Sequence, residues 1–372
     1  LIITSLPHIT IIFVSETTAD LDNPQNIFRP GRILLPILFG LGATAWLLFR
    51  NLDRDTLGFF EWTWAAAAGL LMAFAMMGVR DVAYMYRIRV LTGRKLSWRQ
   101  SFQVIMLWEF SSAVSPSVVG GTGPAIWFLY KEGLNTGKST AVVLTSIFLD
   151  EVFFVLMVPL LYFFFGSLVL PSELSEAFSG SIKIALLLGY ALILIYTLIL
   201  TYTLFINPYF FKWLLSIVFM LPLLRRWRMR MRKLANQLII TSNELRGQKF
   251  GYWARAFVAT ALSWTGRYWV TNFIFMAFFF SHLGLKEHFL IYARQLTMWI
   301  ILLVSPTPGG SGISEIVFGE FLADLLPNAA WVVPLAVLWR LISYYPYLVM
   351  GAVVLPNWIN RVFQKPVYRK IE

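Results

Sequence analysis

Several stretches of this chain run for the length of a membrane-crossing helix without a charge. Ile33 to Phe49, Trp62 to Val79 and Ile184 to Ile206 contain no Asp, Glu, Lys or Arg. Each approaches or exceeds the ~17–25 residues that an α-helix needs to span a bilayer. A helix apolar on every side has no face to offer water. The composition agrees: 58% of residues are hydrophobic and 13% charged, against roughly 25% charged in soluble domains. In hydrocarbon each backbone N–H and C=O must be satisfied within the protein, and single apolar runs do this as helices. The expected fold class is all-α, a polytopic integral membrane helical bundle.

Two related motifs interrupt this apolar background. The chain reads Ser-Pro-Ser-Val-Val-Gly-Gly-Thr-Gly from Ser115 and Ser-Pro-Thr-Pro-Gly-Gly-Ser-Gly from Ser305. Glycine and proline are the poorest helix formers, so each copy predicts an unwound turn. Paired Gly/Pro interruptions in two halves of a membrane chain point to a binding site at a repeat interface. The plainer account of the glycines is close helix packing, which small residues also permit. Six full spans are expected, at about 33–50, 61–80, 139–165, 183–206, 255–280 and 329–355, with broken re-entrant segments at 101–131 and 289–327. Residues 1–28 form a loosely attached leader. The membrane domain covers 29–356, with repeat 1 at about 61–165, a basic connector at 207–253 and repeat 2 at 255–355. Residues 357–372 form a basic tail.

The net charge of +12 lies between the apolar runs. Arg80 to Arg99 holds six basic residues and one acid, and Lys212 to Arg255 holds ten and one. The alternate loops are acidic or nearly neutral. By the positive-inside rule both termini are cytoplasmic, provided that each broken segment returns to the side it entered. The two segments then enter from opposite sides, as inverted repeats. The repeat extends downstream: Pro116 to Asp150 and Pro306 to Arg340 are both separations of 34 residues.

Ionisable residues inside apolar segments are expensive and face the interior. Asp150 and Glu151, Arg267, and Arg340 stand midway along three spans. Glu109, Arg294 and Glu315 stand on the arms of the broken segments. They are either internal salt bridges that hold the bundle together or the lining of a polar cavity. In the second case the turns supply Ser115, Gly120, Gly121, Thr122 and Gly123 from the first copy. The second copy supplies Ser305, Thr307, Gly309, Gly310, Ser311 and Gly312. Each turn opens a half-helix whose N-terminus favours anions, phosphate or carboxylate. Arg267, Arg294 and Arg340 would complete the charge, with the planar fork that suits phosphate.

Arg225, Arg226, Arg228, Arg230, Arg232 and Lys233 surround an apolar line of Trp227, Met231, Leu234 and Leu238. That spacing gives an amphipathic helix lying against anionic headgroups; an ordinary positive-inside loop is compatible with it. Nucleic acid is not expected as a partner. Cysteine is absent, which removes disulfide and thiolate chemistry, and the three histidines have no zinc-site spacing. No metal, cofactor or catalytic set is expected. Gly133 to Ser139 resembles a P-loop but is one residue short, with no strand before it, and reads as a loop and helix start.

Ser305-Pro-Thr-Pro-Gly-Gly-Ser-Gly312 followed by Glu315 resembles the Pro-Thr-Pro-Gly-Gly-x-Gly-x-x-Glu signature of the lysylphosphatidylglycerol synthase/flippase membrane domain family. Pro116 through Pro124 is similar to that family's upstream Pro/Gly motif, with Gly121-Thr122 where many members carry Gly-Glu. Leu129-Tyr-Lys-Glu-Gly133, Gly137-Lys-Ser139 and Arg340 fit further positions, over roughly residues 30 to 356. The resemblance implies a multi-span membrane protein and, in its best-known members, a lipid translocase. Those members add a soluble aminoacyl-transferase domain. This chain ends about 17 residues past its last expected span, so a lipid-modifying enzyme would be a separate partner. The expected function is movement of an anionic or zwitterionic lipid headgroup across the prokaryotic cytoplasmic membrane, without enzymatic activity. Membrane lipids are then the principal partner, and a homo-oligomer is compatible. The alternatives are a proton-coupled transporter of a small anion, with Asp150 or Glu151 carrying protons, and a membrane transferase acting on a lipid-linked sugar.

Overall fold

The computed structural model describes residues 62–115, 121–171, 176–218, 245–279, 283–303 and 312–363, with the single positions 42, 220, 236, 239, 242, 307 and 310. The expected leader 1–28, the span 33–50 and residues 364–372 of the tail lie outside the described residues. So do Gly120, Ser305, Gly309 and Ser311, and the basic set Arg225, Arg226, Arg228, Arg230, Arg232 and Lys233.

All regular structure among the described residues is helical. The helices are α1 (Trp64–Leu91), α2 (Trp98–Val114), α3 (Thr122–Lys131), α4 (Thr136–Phe165), α5 (Glu176–Thr201), α6 (Pro208–Val218), α7 (Phe250–Phe279), α8 (Leu285–Leu303), α9 (Ile313–Leu322), α10 (Val332–Ser343) and α11 (Tyr345–Phe363). Four segments are long and apolar enough to cross a membrane: Trp64–Leu91, Thr136–Val169, Leu186–Ile206 and Ala329–Phe363. They match four of the expected spans. The expected span 255–280 is α7, a helix of 30 residues that carries Arg255 and Arg267 and is less apolar than those four. Large apolar side chains such as Trp64, Phe163 and Leu187 stand exposed, as lipid-facing positions require.

Local chemistry sets the helix ends. Thr63 Oγ1 accepts from Ala66 N–H at 3.1 Å to start α1. Ser97 and Gln100 form a reciprocal capping box at the start of α2. Asn135 Oδ1 accepts from Lys138 N–H at 2.8 Å to start α4, so the P-loop-like stretch is a loop and helix start. Inside α4, Pro159 has no N–H for the Val155 carbonyl. Tyr190 of α5 supplies the missing donor, its hydroxyl 3.2 Å from Val155 O.

Helices α1 and α7 form an antiparallel pair at the centre. Gly69 meets Ala277, and Ser263 Oγ donates to Arg80 O at 3.1 Å. A Cβ on Gly266 would stand 3.0 Å from Met76 O, so glycine there lets the two backbones approach closely. Helices α2 and α3 form a hairpin: Gln100, in the first turn of α2, donates to Glu132, just past α3, at 2.8 Å. Helices α8 and α9 also pack together, with Arg294 of α8 donating to Phe321 O of α9 at 2.8 Å.

Two boundaries depart from expectation. The last span, expected as one run over 329–355, breaks at Tyr344 and continues to Phe363, so residues 357–363 of the expected tail are helical. The span expected to close at residue 80 continues to Leu91. Arg80, Asp81 and Arg87 therefore lie on a helix, not in a loop. Arg80 and Arg87 are seven residues apart, two turns on one face, and that face is turned inward. Both guanidinium groups stack on the ring of Tyr84 between them, each 4.6 Å from its centroid.

Candidate functional site

The interior charges are organised as ion pairs, most of them joining different elements of the bundle. Arg80 Nη2 lies 2.5 Å from Glu109 Oε1 on α2. Arg80 Nη1 also donates to Asp81 at 2.7 Å, and the hydroxyl of Tyr347 from α11 donates to the same Asp81 oxygen at 2.8 Å. The other Glu109 oxygen is 3.8 Å from Arg267 Nη1 on α7. Glu109 thus stands between two arginines. Arg80 is fully buried, whereas the Arg267 side chain is 30% exposed.

Two turns further along α1, Arg87 Nη1 donates to Asp150 Oδ1 of α4 at 2.5 Å and to Thr260 Oγ1 at 3.0 Å. The indole of Trp264 donates to the same Asp150 oxygen at 2.7 Å. Asp150 is thereby held by α1 and α7. Its neighbour Glu151 has a buried Oε2 with no hydrogen-bond partner among the described residues. The two adjacent acids have different environments, because successive helical positions point about 100° apart.

The second broken segment is built around Glu315, at the third position of α9. Its Oε2 accepts from Gly312 N–H at 2.7 Å and from Ser314 Oγ at 2.9 Å. Its Oε1 is 3.3 Å from Arg340 Nε on α10. The carboxylate therefore occupies the anion position at the start of α9. Gly310 and Gly312 have φ of 70° and 85°, the left-handed region in which glycine carries no steric penalty. A cavity of about 520 Å³ opens beside this segment, lined by Glu315, Gly319, Glu320, Asp324, Val333 and Ala336 among others.

The first segment uses glycine differently. Gly121 has an ordinary helical φ of −75°, but a Cβ there would lie 2.0 Å from Ser112 Oγ. Its smallness lets the turn close on α2. Thr122 and Gly123 open α3 without a side-chain cap, half-buried, and Ser115 donates to Ser111 O at 2.6 Å at the end of α2. The two segments are linked through Tyr344, at the break between α10 and α11. Its hydroxyl donates to Ala113 O at 3.0 Å, and the Arg340 guanidinium lies 3.8 Å from its ring centroid. The chain Glu315–Arg340–Tyr344–Ala113 thus runs from one motif to the end of the helix that precedes the other.

Arg294 does not join this set. It pairs with Asp324, donates to that residue's other oxygen at 2.9 Å, and donates to Phe321 O and Leu168 O. Its donors are spent on a carbonyl near the end of α9, on the Asp324 carboxylate and on the turn after α4. Sequence reasoning missed Arg80, Asp81, Arg87, Asp324 and the tyrosines 344 and 347. It also missed Glu132, which binds Arg361 and accepts from Trp358 Nε1 at 2.7 Å. The signal for the two arginines was present: Ala73, Met77, Arg80, Tyr84, Arg87, Leu91 is one helical stripe, and all are buried.

An all-helical bundle with bilayer-length apolar helices and charges paired across its interior defines a polytopic integral membrane protein. The chain belongs to the lysylphosphatidylglycerol synthase TM region family, whose model matches residues 33–351. It is 24% identical over 355 residues to a UPF0104 membrane protein of Archaeoglobus fulgidus, covering 86% of this chain and 95% of the relative. No solved structure matches it.

Proposed function

We propose that this protein is a lipid translocase that moves an anionic or zwitterionic headgroup through a polar path between two inverted, re-entrant hairpins. Support for the inverted arrangement comes from the hairpin ends. Gln100 and Glu132, the open ends of α2–α3, stand with Arg361 at one end of the bundle, where Arg89 stacks on Trp98 and Lys131 on Phe363. The end of α9 meets Leu168 and Asp324, beside the loops that lack that basic excess. With the basic end cytoplasmic, the end of α11 is cytoplasmic, and a span at 33–50 would put the N-terminus on the same side.

The observation that carries the transport proposal is Arg267. It is a half-buried interior cation whose carboxylate partner is 3.8 Å away and already engaged by Arg80. A headgroup phosphate can replace Glu109 there at little cost, because Glu109 keeps Arg80. The second broken segment, with its cavity and the Glu315–Arg340 pair, offers both signs of charge to a zwitterion. Acyl chains would stay in lipid, which requires only a lateral opening.

The test is movement of labelled phosphatidylglycerol and phosphatidylethanolamine between leaflets of proteoliposomes. Arg267→Gln should slow transfer at least tenfold. Transfer at the wild-type rate in that variant, or none in wild type, removes the proposal. A second reading, proton-coupled transport of a small anion, is favoured by the buried, unbonded oxygen of Glu151. It requires uptake of a soluble anion driven by a pH gradient and abolished by Glu151→Gln.

A further inference from the structure

The pair α1–α7 has two faces, and the ion pairs use only one. On the other, Gly78, Val82 and Tyr86 of α1 stand beside Leu262, Val258 and Ala254 of α7, and a groove of about 620 Å³ runs between them. Its floor is formed by the small residues Ala83 and Ala259, which are buried. Its walls, Val79 and Val82 against Val258 and Leu262, are about half exposed, at 44–56%. From Gly78 to Tyr86 the helix rises about 12 Å, close to the depth of one leaflet, half of the ~30 Å hydrocarbon core.

Polarity is confined to one end of the groove. There Arg255 is exposed, its Nε donates to Gly251 O at 2.9 Å, and it forms no ion pair with any described residue. Trp98 closes the same end, 45% exposed, with the Arg89 guanidinium 4.5 Å from its ring centroid. Arg94, Lys95 and Arg99 are exposed on the adjoining loop and helix start. An apolar trough one leaflet deep, ending in an indole and an unpaired cation, matches one class of membrane molecule. Indole rings sit at headgroup level, and basic residues there attract anionic lipids.

We propose that this groove binds one anionic phospholipid, with an acyl chain along α1–α7, the phosphate at Arg255 and the glycerol region at Trp98. The site lies on the face opposite the ion pairs. It depends on membrane embedding alone and not on translocation.

The test uses the full chain, extracted in mild detergent and supplied with phosphatidylglycerol or phosphatidylcholine, with retained lipid counted by native mass spectrometry. Wild type should retain one phosphatidylglycerol with at least fivefold preference over phosphatidylcholine. Arg255→Gln should reduce that preference below twofold, and Val258→Trp should reduce retention at least fivefold by filling the trough. Both positions are exposed, and unchanged thermal melting would show that the fold is intact. A photoreactive benzoylphenylalanine at position 258 should yield a lipid adduct in native membranes. Equal retention of both lipids by wild type overturns the proposal, as does undiminished retention by Val258→Trp. A crosslink to residues 33–50 or to a second copy of the chain also overturns it, since the groove then has a protein occupant.

Discussion

The guanidinium of Arg80 stands 2.5 Å from the Glu109 carboxylate with no solvent-accessible side-chain surface. Removing one member of such a buried pair strands the other, at about 3–5 kcal/mol, whereas replacing both by apolar groups is far cheaper. Arg80→Met should therefore destabilise the protein by about that amount. The double variant Arg80→Met/Glu109→Leu should recover part of it, since Asp81 keeps the Tyr347 hydroxyl and Arg267 is 30% exposed. Unfolding in mixed detergent–SDS micelles measures both. A double variant as unstable as the single would show that the Arg80 contacts to Asp81 and Tyr347 dominate.

Arg267 and Arg294 should respond in opposite ways. Arg294 is buried and donates to two backbone carbonyls and a carboxylate. Arg294→Gln should lower stability by a few kcal/mol, through about 1–3 kcal/mol for each buried acceptor left unsatisfied. Arg267→Gln should leave the melting temperature within a few degrees of wild type while reducing lipid transfer. Thermal melts and transfer assays on both variants separate the two roles. Loss of stability without loss of transfer in Arg267→Gln would make that residue structural.

Glu315 does two things, and two substitutions divide them. Its Oε2 caps Gly312 N–H while its Oε1 faces Arg340. Glu315→Gln keeps an acceptor for the cap and loses the charge. Glu315→Ala loses both and should cost about 0.5–2 kcal/mol more, the usual worth of an N-terminal cap. Equal destabilisation by the two would mean that the cap contributes nothing and the charge everything.

Gly121 distinguishes packing from ligand contact in the first motif. Gly121→Ala should be strongly destabilising, because its Cβ would fall 2.0 Å from Ser112 Oγ. Adding Ser112→Ala removes that clash and leaves 3.1 Å contacts with Ser112 Cβ and the Ser112 backbone nitrogen, so the double variant should regain part of the stability. If stability returns and lipid transfer does not, the glycine backbone is also a headgroup contact.

The absence of cysteine makes the inverted arrangement testable by labelling. Thr122→Cys and Ser311→Cys should react with impermeant thiol reagents from opposite sides of the membrane. Reactivity of both from one side only would refute the inversion.

Legibility in the sequence differs from residue to residue. Among the described residues, the apolar runs Trp62 to Val79 and Ile184 to Ile206 read correctly as helices because bilayer length and backbone satisfaction leave few alternatives. Asp150, Glu315 and Arg340 stood out because a charge in the middle of an apolar run is conspicuous. Arg80 and Arg87 did not, since they follow an apolar run and merge with the basic residues of the next loop. Once they and Asp81 are assigned to α1, the sequence from Arg89 to Arg99 is still basic, so the charge asymmetry survives its own miscount. Asp324 escaped notice because its partner, Arg294, is thirty residues away and no periodicity joins them.

The chain by itself determined the solvent it lives in, most of the helices, and two of the places where helix breaks. These follow from local chemistry: the cost of charge in hydrocarbon, and the backbone preferences of glycine and proline. Only the tertiary structure decided which charges meet, because an ion pair depends on helices far apart in sequence arriving at one depth and one rotation. Glu109 taken by two arginines, Asp150 held by α1 and α7, and Tyr344 bridging Arg340 to Ala113 are outcomes of that packing.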